Sequence, residues 1–230
     1  MLRRISYKVV NIMYKLAISV IHFTQNLLNV THNYQPNPFK SLDKSGRDTL
    51  DRYESFMSVI DSHPDSLIDL GCNRGFFVLK SASQGTFSMG VDHDWYEILY
   101  AKSVADINNV AHAAFVNSEI NIDFIRKIPS FDAVICTSIF HHWVRVYGKD
   151  KAFKMMELVA NKTNKYLLFE TGQYNEVETK WFENLEFMGD DSEQWIEDFL
   201  LNLGFSSVVR SGKFDSNLSD VKRTLYIAIK

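Results

Sequence analysis

The stretch Ser66-Leu67-Ile68-Asp69-Leu70-Gly71-Cys72-Asn73-Arg74-Gly75-Phe76-Phe77 limits what this chain can fold into more than any other. An apolar run carries one aspartate, breaks at two glycines with three residues between them, and then resumes. That pattern reads as a buried strand, a tight backbone turn and a helix. Glycine removes the side chain where backbone must approach something closely. Asn73, between the glycines, is of a residue type that tolerates positive φ. In an open α/β sheet a turn of this kind lies where ligands bind, outside the carboxyl ends of the strands.

The rest of the chain repeats the alternation. Strands are expected at Ser66–Leu70, Phe87–Val91, Ala113–Val116, Phe131–Thr137 and Tyr166–Phe169, with helices over Phe76–Ser83, Tyr96–Ile107 and Lys149–Asn161 between them. A helix over Ser192–Leu203 ends at Gly204, and strands around Ser206–Arg210 and Thr224–Ile229 close the chain. No helix separates those two, so the last strand is expected to run antiparallel. The fold class is therefore α/β: a Rossmann-like, mostly parallel sheet with helices on both faces.

Residues 1–60 read as a separate N-terminal part, ahead of a ligand-binding domain over residues 61–230. In the first thirty residues Arg4, Lys8, Asn11, Lys15, Ser19, His22 and Asn26 recur at steps of three or four, a narrow polar stripe on an otherwise apolar helix. Lys15 and Asn11 would fall inside any membrane-spanning window, and no small-residue cleavage site follows. Two readings stay open: a helix packed on protein, or a basic amphipathic helix lying on a membrane surface. A proline-containing loop follows, then a lid-like helix over Asp48–Ile60. The expected location is cytoplasmic, with peripheral contact on the inner face of the membrane as the second possibility.

The formal net charge of −3 provides no global basic field for nucleic acid. Cys72 and Cys136 sit in or beside strands and read as core residues, and no Cys/His spacing suits a metal.

Asp92, ending "MGVD", lies about 20 residues beyond the first glycine, where an acidic side chain receives ribose hydroxyls. The glycine spacing does not fit GxGxxG. Asp69, just before the turn, would repel a pyrophosphate and suit a cationic ligand. A ligand with an ammonium group, a sulfonium and a ribose but no phosphate fits better than a nicotinamide dinucleotide.

Asp69-Leu70-Gly71-Cys72-Asn73-Arg74-Gly75, Asp92 and "FDAVICTSIFHHW" together resemble class I S-adenosylmethionine-dependent methyltransferases, with Asn73 at the middle glycine of D/E-x-G-x-G-x-G. The resemblance covers Ser66 to Lys230. "SIFHHWVRVYGKDKAFKMMELVANKTNKYLLFE" and "GKFDSNLSDVKRTLYIA" look like the methyltransferase domain of bacterial O-antigen chain-terminating enzymes. Those enzymes are bifunctional with a kinase part, for which this chain has no room. The resemblance implies S-adenosyl-L-methionine as cofactor and a glycan end, hydroxyl or phosphate, as acceptor. A weaker likeness runs to RNA-end capping methyltransferases, and a non-catalytic partner-binding protein of the same fold is a further alternative.

The resemblance puts Asp69, Gly71, Cys72, Asn73, Gly75, Asp92 and Ser138 around the cofactor, Asp69 near its amino-acid part and Cys72 through its backbone. Asn117, Ser118 and Glu119 fall where adenine contacts arise. His141 and His142 follow the fourth strand, where one could act as general base or bind an anionic acceptor. Arg223 reads either as an acceptor contact or as a surface charge. Tyr34, Arg47 and Arg52 are candidates for a lid over the acceptor, and Glu170 either lines the crevice or caps a turn.

Overall fold

The computed structural model describes Met13, Val20, residues 35–39 and residues 48–230 other than Asn217. The amphipathic helix expected over residues 1–30 falls outside these apart from Met13 and Val20. Tyr34 and Arg47 also lie outside them.

A seven-stranded sheet organises the molecule. Its strands are β1 Ser66–Leu70, β2 Phe87–Asp92, β3 Ala113–Asn117, β4 Phe131–Thr137, β5 Thr163–Glu170, β6 Ser207–Phe214 and β7 Arg223–Ile229. The order across the sheet is β3-β2-β1-β4-β5-β7-β6. β1 pairs in parallel with β2 and β4, and β7 runs antiparallel to both β5 and β6. The helices are α1 Thr49–Val59, α2 Phe76–Ser83, α3 Trp95–Ile107, α4 Ile122–Lys127, α5 Phe140–Tyr147, α6 Lys149–Lys162 and α7 Ser192–Asn202, with a 3-10 helix at Phe182–Met188.

Near-continuous apolar strands bury both faces, and the period of two divides them. Leu67, Ala133, Ile135, Leu168, Leu225 and Ile227 pack on one face with Tyr53 and Phe56 of α1 and Phe76 and Phe77 of α2. Ile68, Val134, Leu167, Phe169, Tyr226 and Ala228 pack on the other, against α4 to α7. A third layer joins α2 and α3 to Phe115 of β3.

The expected strands and long helices are present with ends shifted by a few residues. The sequence reading missed α4, α5 and the 3-10 helix. Aromatic and β-branched residues crowd α5, whose sequence is Phe-His-His-Trp-Val-Arg-Val-Tyr. These types lose rotamer freedom in a helix, so local preference gives a weak signal. Tertiary burial of Phe140, Trp143 and Val144 holds it on the sheet. Among the described residues no helix is long and apolar enough to cross a membrane.

Candidate active site

The glycine turn is built by backbone. Gly71 and Cys72 both donate to the carbonyl of Val91, at 2.8 and 3.0 Å, which ties the end of β1 to β2. Asn73 takes φ +48° and its N–H donates to Asp92 Oδ2 at 2.8 Å. Gly75 begins α2 with φ +75°, and a Cβ there would lie 2.5 Å from the Phe115 ring. Gly75→Ala is therefore expected to lower stability by about 2 kcal/mol through left-handed strain and overpacking. Urea denaturation would measure it, and an unchanged midpoint would contradict the packing described.

A cavity of about 840 Å³ opens over the carboxyl ends of the parallel strands. Gly71, Asn73, Asp92, Asn117 and Ser118 line one end, and Ser138, His142, Trp143 and Arg145 the other. Asp92 is only 7% exposed. Its Oδ2 accepts from Asn73 and its Oδ1 from the Asp94 N–H at 2.9 Å. His93 Nδ1 also stands 3.3 Å from Oδ1, so it is Oδ2 that keeps a further lone pair. Asn117 Nδ2 donates to the carbonyls of Asp92 and His93, locking the end of β3 onto β2.

Asp69 lies behind this wall, 2% exposed. Its Oδ2 has no hydrogen-bond partner among the described residues, and neither does the buried Oδ1 of Asn73. Burial, reinforced by the nearby charge of Asp92, pushes the Asp69 carboxyl up to about 8. Three acceptor-bearing side chains thus surround one turn, an arrangement that calls for a ligand rich in N–H or O–H donors. The Cys72 side chain points into the apolar layer of α2 and α3. Burial raises its thiol well above the ordinary range, so at this turn it offers backbone alone.

The two histidines separate. His141 is 1% exposed and does not line the cavity. Its Nδ1 accepts from the Gly172 N–H at 2.9 Å and lies 3.2 Å from Thr171 Oγ1. That acceptance leaves the neutral ring's proton on Nε2 and takes up the lone pair a base would need. The placement of both histidines at the crevice thus holds only for His142, because successive helical residues point in different directions and burial claims the first. Burial, then the charges of Arg145, Arg223 and His93, lowers His142 to about 4.

Arg223 is neither a surface charge nor a cavity-lining residue. It is 2% exposed, and its Nε and Nη2 donate to Glu176 Oε1 and Oε2 at 2.8 and 2.6 Å. Its Nη1 reaches Ser138 Oγ at 3.2 Å. Ser138, with φ +57°, lies in the cavity wall and donates to Glu170 Oε1 at 3.0 Å. Glu170 Oε2 in turn receives Arg52 Nε at 2.7 Å. Arg52 is therefore a buried partner of Glu170, 3% exposed, and does not line the cavity.

Several residues escaped the sequence reading. Gln35 lines the cavity and accepts the first N–H of α2, from Phe76, at 3.1 Å. Tyr147 donates to Glu119 Oε1 at 2.5 Å, bridging the end of α5 to the loop after β3. Burial and Glu119 push that phenol up to about 12. Arg145 follows from α5, whose i, i+3, i+4 apolar spacing at Phe140, Trp143 and Val144 was the available signal. Gln35 left none, because it comes from a loop remote in sequence. Among the described residues no group of three His, Cys, Asp or Glu side chains is placed to hold a metal ion.

This strand order, with β7 antiparallel and a cavity over the carboxyl ends beside a glycine turn, is the class I methyltransferase fold. Fold and similarity together relate the chain to the S-adenosylmethionine-dependent methyltransferases. No family model matches the chain. It is similar to the O-antigen chain terminator bifunctional methyltransferase/kinase WbdD of Escherichia coli, 28% identical over 183 residues, 77% of this chain and 23% of that protein. The chain thus spans about a quarter of the length of the curated relative it matches. A crystal structure of WbdD superposes with a TM-score of 0.63 at 26% identity, covering 78% of this chain and 38% of the other. Magnesium protoporphyrin IX methyltransferase ChlM from Synechocystis PCC 6803, solved with bound SAM, shares the fold at a TM-score of 0.59 and 18% identity, over 80% of this chain and 78% of that one.

Proposed function

We propose that the chain is an S-adenosylmethionine-dependent O-methyltransferase acting on a glycan end, and that the accepting oxygen belongs to an anionic group such as a terminal phosphate. The observation that carries the cofactor assignment is the set of unfilled acceptors at one turn: the spare lone pair of Asp92 Oδ2 and the partnerless oxygens of Asn73 and Asp69. Carboxylates there disfavour a pyrophosphate and favour an ammonium and a ribose diol. When bound, S-adenosylmethionine supplies an electrophilic methyl group together with its leaving group. Asp92 would receive the ribose hydroxyls, and Gly71 and Asn73, which line the cavity at the turn, would face the amino-acid end, with Asp69 behind them.

At the other end His142, held near 4, is neutral at physiological pH. Such a ring is a weak base for an alcohol. It suits an acceptor that arrives ionised, as a phosphate monoester does with its second pKa near about 6. Arg145 beside it adds charge for the same anion. The similarity to the chain terminator supports a glycan as the group bearing that oxygen. Residues 1–30 would bring the enzyme to a membrane surface where such acceptors are assembled.

Calorimetry with S-adenosylmethionine tests the first half. Asp92→Ala is expected to weaken binding by about 1–3 kcal/mol, the range for deleting a buried hydrogen-bonding partner. No measurable binding to the unsubstituted protein would refute the cofactor assignment. Comparing synthetic glycans ending in phosphate or in hydroxyl tests the second half. Methyl transfer to the hydroxyl form alone would refute the anionic acceptor.

A further inference from the structure

We infer that Arg223 is a positioning residue for the acceptor end of the cavity, acting on His142 through Trp181 and on Ser138 directly while touching no ligand; this rests on the acceptor site proposed above. One planar guanidinium serves three side chains. Two of its N–H bonds take both oxygens of Glu176, itself fully buried, and a third reaches Ser138 Oγ. Its central carbon stands 5.5 Å from the centre of the Trp181 ring. Trp181 is pinned from its far side, because its indole N–H donates to Glu176 Oε2 at 3.3 Å. The same ring packs 4.4 Å from His141 and, edge-on, 5.4 Å from His142, and the two imidazoles lie 4.3 Å apart.

The assembly has no slack. A Cβ at Gly172 would fall 2.4 Å from the indole nitrogen and 3.1 Å from the His141 ring. Glu176 Oε1 also accepts the Gln173 N–H at 2.9 Å, so the carboxylate cannot swing with its partner. Arginine's rigid fork can satisfy Glu176 and Ser138 together, and lysine's single ammonium cannot reproduce that geometry. The charges facing His142 are Arg145 on its own helix, Arg223 from β7 and His93 from the turn after β2, with neutral His141 against its ring. Of the two arginines only Arg223 is buried, where solvent screens it least. Arg223 therefore acts by fixing the rings, while burial does most to keep His142 unprotonated.

Two substitutions test this. Arg223→Lys keeps the charge and loses the fork. It should shift the nitrogen-15 NMR resonances of the His142 ring. Turnover should drop at least about ten-fold, the scale of a small misplacement, with cofactor affinity unchanged. The double substitution Arg223→Met/Glu176→Gln removes both charges of the pair together without orphaning a partner, and replacing a buried pair in this way is often tolerated. It should lower turnover as Arg223→Lys does. If Arg223→Lys does not fold, Trp181→Phe, which keeps a ring and loses the indole donor, should likewise shift the His142 resonances and lower turnover. Full turnover in the folded Arg223→Lys variant, or in Trp181→Phe where it replaces that variant, would overturn the positioning role. Full turnover in His142→Ala would instead overturn the acceptor-site reading, with the ring resonances of the Arg223 and Trp181 variants still judging the positioning.

Discussion

Asp69→Asn is expected to stabilise the cofactor-free protein at pH 8 and to flatten its stability between pH 4 and 8. The buried carboxyl moves from an ordinary value of 3.8 to about 8, first through burial and then through the neighbouring charge of Asp92. Between those values the folded chain holds a proton that the unfolded chain has released. Stability therefore falls as pH rises through this window, and the cost is complete once the buried group ionises. Roughly four units correspond to something on the order of 5 kcal/mol, since each unit is about 1.4 kcal/mol. Asparagine has the same shape and no charge to bury. Urea midpoints from pH 4 to 8.5 would show a steep fall in the parent and a shallow one in the variant. Parallel curves would mean that Asp69 does not carry the strain its surroundings impose.

His142→Ala should cut methyl transfer by on the order of 10²-fold while leaving cofactor affinity and the fold intact. The ring lines the cavity, and its loss removes the group proposed to hydrogen-bond a charged acceptor. His141→Ala should do the reverse. It would leave the Gly172 N–H without its partner and open a hole beneath Trp181, at about 1–3 kcal/mol for the orphaned donor alone. With His142 titrating near 4, turnover should show no His142-dependent change from pH 5 to 8. Rates and melting curves for the two single variants decide it. Equal loss of turnover at equal stability would remove the distinction drawn between the rings.

The cofactor end was largely legible in the sequence and the acceptor end was not. Asp69, Gly71, Asn73, Gly75 and Asp92 lie within one strand–turn–helix–strand unit, and short-range geometry brings them together. Arg223, Glu176, Trp181, Ser138 and Glu170 come from the last strand, the segment after β5, the turn after β4 and the end of β5. No local pattern joins positions 85 residues apart, the separation of Ser138 and Arg223. From sequence Arg52 read as a lid candidate and Arg223 as an acceptor contact or a surface charge. The fold buries both against glutamates.

By itself the sequence determined the alternation of strand and helix, the antiparallel final strand and the glycine turn at the end of β1. These depend on side-chain period and on φ values open to glycine and asparagine. Tertiary structure alone decided which histidine meets the cavity, which charges are buried in pairs and which loop supplies Gln35. The reason is that solvent exposure and ion pairing belong to groups that meet only after the sheet has assembled.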